Sequence, residues 1–271
     1  MSGRILRKIV RDERLPVSAG LAAAILLAWG YLLLGAGIEG MKGGKAMMPM
    51  RPEWSPGYAA LVFVMWAVMM AAMMLPSAMP VTLLVVRVAG GRTGGGPAAR
   101  ADPKPAAALF VLGYLAVWSG FAAAATALQW LLDTAGLLSP AMALGNAVMA
   151  GGVLVAAGLY QWTPLKAACL KHCRSPLDFL LFHWRDGAFG MLASGARHGL
   201  FCLGCCWMLM ALLFVGGVMS LAWVGALALL VLIEKTLPWG GRMSRITGAV
   251  LLAWGALTLV QAAAGIPPHP G

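Results

Sequence analysis

The chain has 271 residues, of which 61% are hydrophobic and 11% charged, with a net charge of +11. A soluble domain carries more than twice that share of charge, and several apolar runs reach the 18 or more residues that span a bilayer, so an ordinary soluble enzyme is excluded. The basic excess sits in short loops without interleaved stacking aromatics, which points to membrane topology and anionic headgroups as partners and excludes nucleic acid.

Residues 1–16 form a basic head with Arg4, Arg7, Lys8, Arg11 and Arg14, followed by a first span over Val17–Gly37, read as an uncleaved anchor. A Gly/Pro/Met loop containing Met47, Met48 and Met50 leads into a second span, about Gly57–Val86, with a kink expected near Pro76. After the Gly/Pro-rich basic linker 87–105, a third span is expected over Ala106–Leu132 and a fourth over Pro140–Tyr160. The spacings Ala147-x-x-x-Gly151 and Gly152-x-x-x-Ala156 suit close helix packing. Thr163 and Pro164 open a further helix as N-cap and first turn, and Ser175-Pro176 closes it. Residues 164–198 read as cytoplasmic, interfacial or partly re-entrant helices. The fifth, sixth and seventh spans are expected at Gly199–Val218, Leu221–Leu237 and Ser244–Ala264, before a tail over 265–271.

The expected fold is therefore all-α: a single polytopic bundle of about seven transmembrane helices over 17–264. Seventeen of the twenty lysines and arginines fall in the N-terminal head and alternate loops, and only Lys42, Lys45 and Arg51 fall in the others. That asymmetry places the N-terminus inside. An even number of spans would break the alternation. The expected location is a bacterial inner membrane, with self-association left open.

Chemistry concentrates in two clusters. Cys202, Cys205 and Cys206 are spaced i, i+3, i+4, so a helix puts them on one face with His198 one turn earlier. Cys169 and Cys173 form an i, i+4 pair around His172, and these five are all the cysteines of the chain. The topology puts both clusters on the reducing side, where thiols stay free and serve as soft-metal ligands. Cysteines that merely pack are the plain alternative. His172 and His198 are candidate imidazole ligands or simple interfacial residues; His183 and His269 are left as structural or surface. Glu234 lies at the inner end of the sixth span, at a depth similar to Cys202. It is a candidate oxygen ligand, proton acceptor or supporting partner, or else pairs with Lys235.

Of eighteen methionines, Met65, Met69 and Met73 make an i, i+4 stripe on the second span, with Met70 and Met74 round the side. They serve either as core packing or as thioethers leading from Met47, Met48 and Met50 toward the thiols. Thioethers and thiolates together favour Cu(I), with Zn(II) as the second choice.

Three stretches now stand out: Trp66-x-x-Met69-Met70-x-x-Met73-Met74-x-Pro76; Tyr160 to Lys166 running on to Cys169, Cys173 and Arg174; and Gly199-x-x-Cys202-x-Gly204-Cys205-Cys206-Trp207, with Glu234-Lys235 beyond. They resemble a bacterial family of predicted metal-binding integral membrane proteins, sometimes labelled copper chaperones, over roughly residues 57–260. The resemblance implies metal binding, with the five cysteines as the matching candidates. The leading expectation is a non-enzymatic membrane protein that moves a soft metal, Cu(I) first, across the membrane or exchanges it with a donor or acceptor protein. The rivals are a membrane thiol/disulfide redox protein and an assembly factor for another membrane complex.

Overall fold

A computed structural model describes residues 14–34, 54–91, 103–139, 142–175 and 187–265. Met47, Met48, Met50, Lys42, Lys45, Arg51, His183, His269 and most of the N-terminal head lie outside the described residues, as do 176–186 of the expected interfacial segment. The described residues form nine helices: α1 (Arg14–Leu33), α2 (Pro56–Gly91), α3 (Pro103–Thr134), α4 (Ala147–Tyr160), α5 (Pro164–Arg174), α6 (Ala188–Ala211), α7 (Leu213–Gly216), α8 (Leu221–Thr236) and α9 (Gly240–Ala263).

Among the described residues, five stretches are long and apolar enough to cross a membrane: 14–33, 56–89, 104–134, 188–216 and 240–263. A sixth arises if α4 and α5, bent by 64° at residues 161–163, are taken as one broken span. The all-α membrane bundle is as expected, while the count differs from seven at two places. The fourth expected span contracts to the 14 residues of α4, because Asn146 caps it by accepting from Val148 N and Met149 N, and the chain turns after Tyr160. The sixth becomes α8, whose 16 residues rise only about 24 Å against a hydrocarbon core of roughly 30 Å. Large apolar side chains such as Leu26, Leu27, Phe189 and Val260 point outward from the bundle, as a lipid-facing surface requires.

α2 runs unbroken through Pro76 and Pro80. Pro76 has no N–H to give to the carbonyl of Ala72, and the indole N–H of Trp29 in α1 donates to that oxygen at 3.2 Å instead. The gap left by proline thus becomes the docking point of α1. Deeper in the bundle, Trp66 Nε1 donates to Gln129 Oε1 at 2.7 Å, joining α2 to α3 by a buried polar contact.

α6 is held against α3 by small residues. A Cβ at Gly195 would lie 1.9 Å from the Phe110 carbonyl oxygen, and one at Gly113 would lie 2.0 Å from that of Leu192. Any larger residue must push the two backbones apart, since neither obstacle is a movable side chain. On the other side of the bundle, Gly151 and Gly158 of α4 meet Gly255 and Gly248 of α9 in the same manner. Of the two small-residue spacings expected to pack closely, the one ending at Gly151 meets α9, whereas the one beginning at Gly152 does not: a Cβ on Gly152 would meet nothing within 4 Å.

Gly195→Val is expected to destabilise the protein by about 3 kcal/mol or more, because it wedges backbone from backbone. Gly152→Ala is expected to change stability by less than about 0.5 kcal/mol. Thermal unfolding of the two variants in detergent checks both values; equal midpoints would contradict this packing.

Candidate metal centre

Two short segments deliver the thiols. Thr163 caps α5, its hydroxyl accepting from Lys166 N, and Pro164 takes the first turn, as the sequence leads one to expect. Eleven residues carry the helix to Arg174, which brings Cys169 and Cys173 against α6. Within α6, Cys202, Cys205 and Cys206 are each 1% exposed and face the core together, with His198 on the same buried face.

Cys173 Sγ lies 3.9 Å from Cys205 Sγ, across α5 and α6. Sulfurs that share one ion at about 2.3 Å stand roughly 3.8 Å apart in a tetrahedral site, so this separation matches ligands of a common metal. A second sulfur pair, Cys206 Sγ and Met74 Sδ, is also 3.9 Å apart. Cys169 sits beside Gly204, where a Cβ would come within 2.7 Å of its sulfur. Gly204 therefore makes room for Cys169 at the α5–α6 contact, and Tyr160 closes that edge by donating its hydroxyl to the Gly204 carbonyl.

Lys235 reaches into the cluster. Its Nζ is 2.9 Å from Cys202 Sγ, 3.6 Å from Cys206 Sγ, 3.6 Å from Met74 Sδ and 3.5 Å from Ser77 Oγ. The Tyr114 hydroxyl meets the same Cys202 Sγ at 2.9 Å. Cys205 and Cys206 turn their S–H groups onto the Cys202 carbonyl at 3.1 and 3.0 Å. These contacts aim the thiols at protein groups and at one another. Among the described residues no three His, Cys, Asp or Glu side chains are already arranged to hold a metal ion.

The remaining candidates are distributed around this cluster. Glu234 is 2% exposed and its carboxylate bonds to Lys166 at 2.7 Å, not to Lys235. Its second oxygen has no hydrogen-bond partner among the described residues. His172 lies flat on Phe201, ring centroids 4.4 Å apart, with Nδ1 2.9 Å from the Ala168 carbonyl. His198 is 2% exposed between the rings of Phe110 and Tyr114, each 5.8 Å away. Met65, Met69 and Met73 are buried in the core of α2, and it is their neighbour Met74 that touches both Cys206 and Lys235.

Sequence reasoning missed Tyr114, Met74 and Lys235 as neighbours of the thiols. Tyr114 has no local signal, since its role depends on how closely α3 packs on α6. Lys235 did carry one: a lysine and a glutamate side by side near the end of an apolar run cannot both point into lipid.

Lys166 and Glu234 are a desolvated pair at 1% and 2% side-chain exposure. Removing one partner leaves a buried charge. Lys166→Met or Glu234→Gln alone is expected to destabilise by roughly 3–5 kcal/mol, and Lys166→Met with Glu234→Leu to recover most of that loss. Chemical or thermal unfolding of the three variants tests this; a double variant no better than the singles would contradict it.

The sequence comparisons agree with this chemistry. A family model described as "PpoB2: Copper chaperone" matches residues 63–258. No curated protein and no solved structure matches the chain. The matched stretch runs from within α2 to within α9 and takes in all five cysteines. With most of its length under that model, this membrane protein belongs to the PpoB2 copper-chaperone family.

Proposed function

We propose that the chain binds Cu(I) as cargo in the sulfur pocket between α2, α5, α6 and α8, and carries it across the membrane or exchanges it with a partner protein. The observation that carries this reading is the 3.9 Å approach of Cys173 to Cys205, from segments more than thirty residues apart. Cys173, Cys202, Cys205 and Cys206 are the proposed thiolate ligands, with Met74 as an additional thioether and Cys169 next to them. Such a soft donor set selects Cu(I), and Zn(II) after it, over hard cations. His172, His198 and Glu234 take supporting positions in this proposal: the first two as aromatic packing around the thiols, the third as the anchor of Lys166.

An ammonium group already rests among these sulfurs, so the pocket is built to face positive charge. Cu(I) entering it takes the place of Lys235 Nζ, which now lies 2.9 Å from Cys202 Sγ and 3.5 Å from Ser77 Oγ. Met65, Met69 and Met73 form a thioether row one side of Met74 and are proposed as the approach route. Buried thioethers bind Cu(I) weakly enough to pass it on. The proposed orientation has the N-terminus and the cysteine pocket at the cytoplasmic side of a bacterial inner membrane, supported by the distribution of lysine and arginine.

Purified, reduced protein is expected to bind one Cu(I) per chain in competition with a chromophoric Cu(I) chelator. Cys173→Ser and Cys205→Ser are each expected to weaken binding by more than the ~10–100-fold that follows loss of a mere supporting group. Met65→Leu, Met69→Leu and Met73→Leu combined, which conserve core volume, are expected to leave equilibrium affinity within about threefold and to slow copper uptake into vesicles. Full copper binding by Cys173→Ser would contradict the assignment. Rapid oxidation of Cys173 and Cys205 by a quinone, without metal binding by the reduced protein, would favour a redox role instead.

A further inference from the structure

A cavity of about 580 Å³, with no cysteine in its lining, opens between the start of α5, the turn after α8 and the start of α9. Its walls carry Lys166, Arg174, Arg242 and Arg245, and no acidic side chain among the described residues lines it. Lys166 is neutralised by Glu234 behind the wall. Arg174 spends its Nη2 on the carbonyls of Leu237 and Pro238. Its Nη1 remains on the side of Gly241, 3.9 Å from where a Cβ would stand there. Arg242 and Arg245 are exposed, and no ion pair of theirs is present among the described residues. The first turn of α9 also meets this cavity at Gly241 and carries no acidic residue, though the N–H groups of Gly240, Arg242 and Met243 already donate to the carbonyls of Leu237 and Trp239. Three arginines line one hollow, an arrangement that repels cations and suits an oxyanion.

The rim indicates which oxyanion. Trp162 and Trp239 flank the opening at 53% and 50% exposure. Trp162 is fixed there by its indole N–H, which donates to the Arg245 carbonyl at 3.1 Å. The cavity lies where α9 begins, hence at a membrane surface, and half-exposed tryptophans are the side chains that settle at headgroup level. We propose that this pocket binds a phosphate group, that of an anionic phospholipid headgroup, through Arg174, Arg242 and Arg245. The pocket is independent of the copper reading, since it shares no ligand with the thiol cluster.

Native mass spectrometry of the full chain in detergent, titrated with phosphatidylglycerol or phosphatidylcholine, tests the proposal. The wild type is expected to retain phosphatidylglycerol at least tenfold more strongly. Each arginine neutralised is expected to cost about fivefold, so Arg242→Gln with Arg245→Gln costs about twenty-five-fold. Lys171→Gln with Arg197→Gln, which removes the same charge from exposed positions outside the cavity, is expected to cost less than threefold. Millimolar inorganic phosphate separates the two sources of the anion. If it binds in the same arginine-dependent way while phosphatidylglycerol shows no preference, the oxyanion site stands and its ligand is a soluble phosphate. If the two double variants lose equally, or neither loses, the attraction is general surface charge and the proposal is overturned.

Discussion

The buried ion pair between Lys166 and Glu234 determines where α5 lies, and through α5 the rest of the site. Two opposite charges inside an apolar bundle have no good alternative to each other, so their pairing fixes the first turn of α5 against the last turn of α8. The 64° bend after α4 then directs α5 across α6, and its last turn carries Cys173 to Cys205. The glycine contacts between α3 and α6 complete the frame by bringing Tyr114 within reach of Cys202. The sulfur cluster is thus the meeting point of helices whose positions are set elsewhere.

This division of labour explains what the amino-acid sequence could disclose. The i, i+3, i+4 spacing of Cys202, Cys205 and Cys206 places them on one face of any helix, and that face is buried. The capping of α5 by Thr163 and Pro164 is equally local and equally plain. Tertiary facts were less accessible. Glu234 has two lysines within reach, and sequence proximity favours Lys235, whereas the fold gives it Lys166 and releases Lys235 to the thiols. The methionine stripe on α2 was legible as a stripe, but its point of contact with the cysteines is Met74, beside it rather than on it. Hydropathy counted α4 and α8 as complete spans because it registers apolar length and not the bend at 161–163 or the turn that follows Thr236.

Lys235 gives the cluster its electrostatic character. Cysteines packed only for volume have no use for an ammonium 2.9 Å from a sulfur atom at 7% residue exposure. Burying that ammonium costs several kcal/mol unless polarizable or anionic groups surround it, and here those groups are sulfur. A pocket that tolerates a cation in this form has the charge balance for a monovalent metal ion, which fits the membership of the chain in a copper-chaperone family. The cavity at the start of α9 has a different character: the charged side chains that line it, Lys166, Arg174, Arg242 and Arg245, are all basic.

The most direct test of the central claim is X-ray absorption at the copper edge on the Cu(I)-loaded protein, compared with its Cys173→Ser variant. The account predicts a first shell made of sulfur at about 2.3 Å that loses one sulfur in the variant. Nitrogen or oxygen ligands, or a sulfur shell indifferent to Cys173, would contradict the claim that α5 and α6 share one ion.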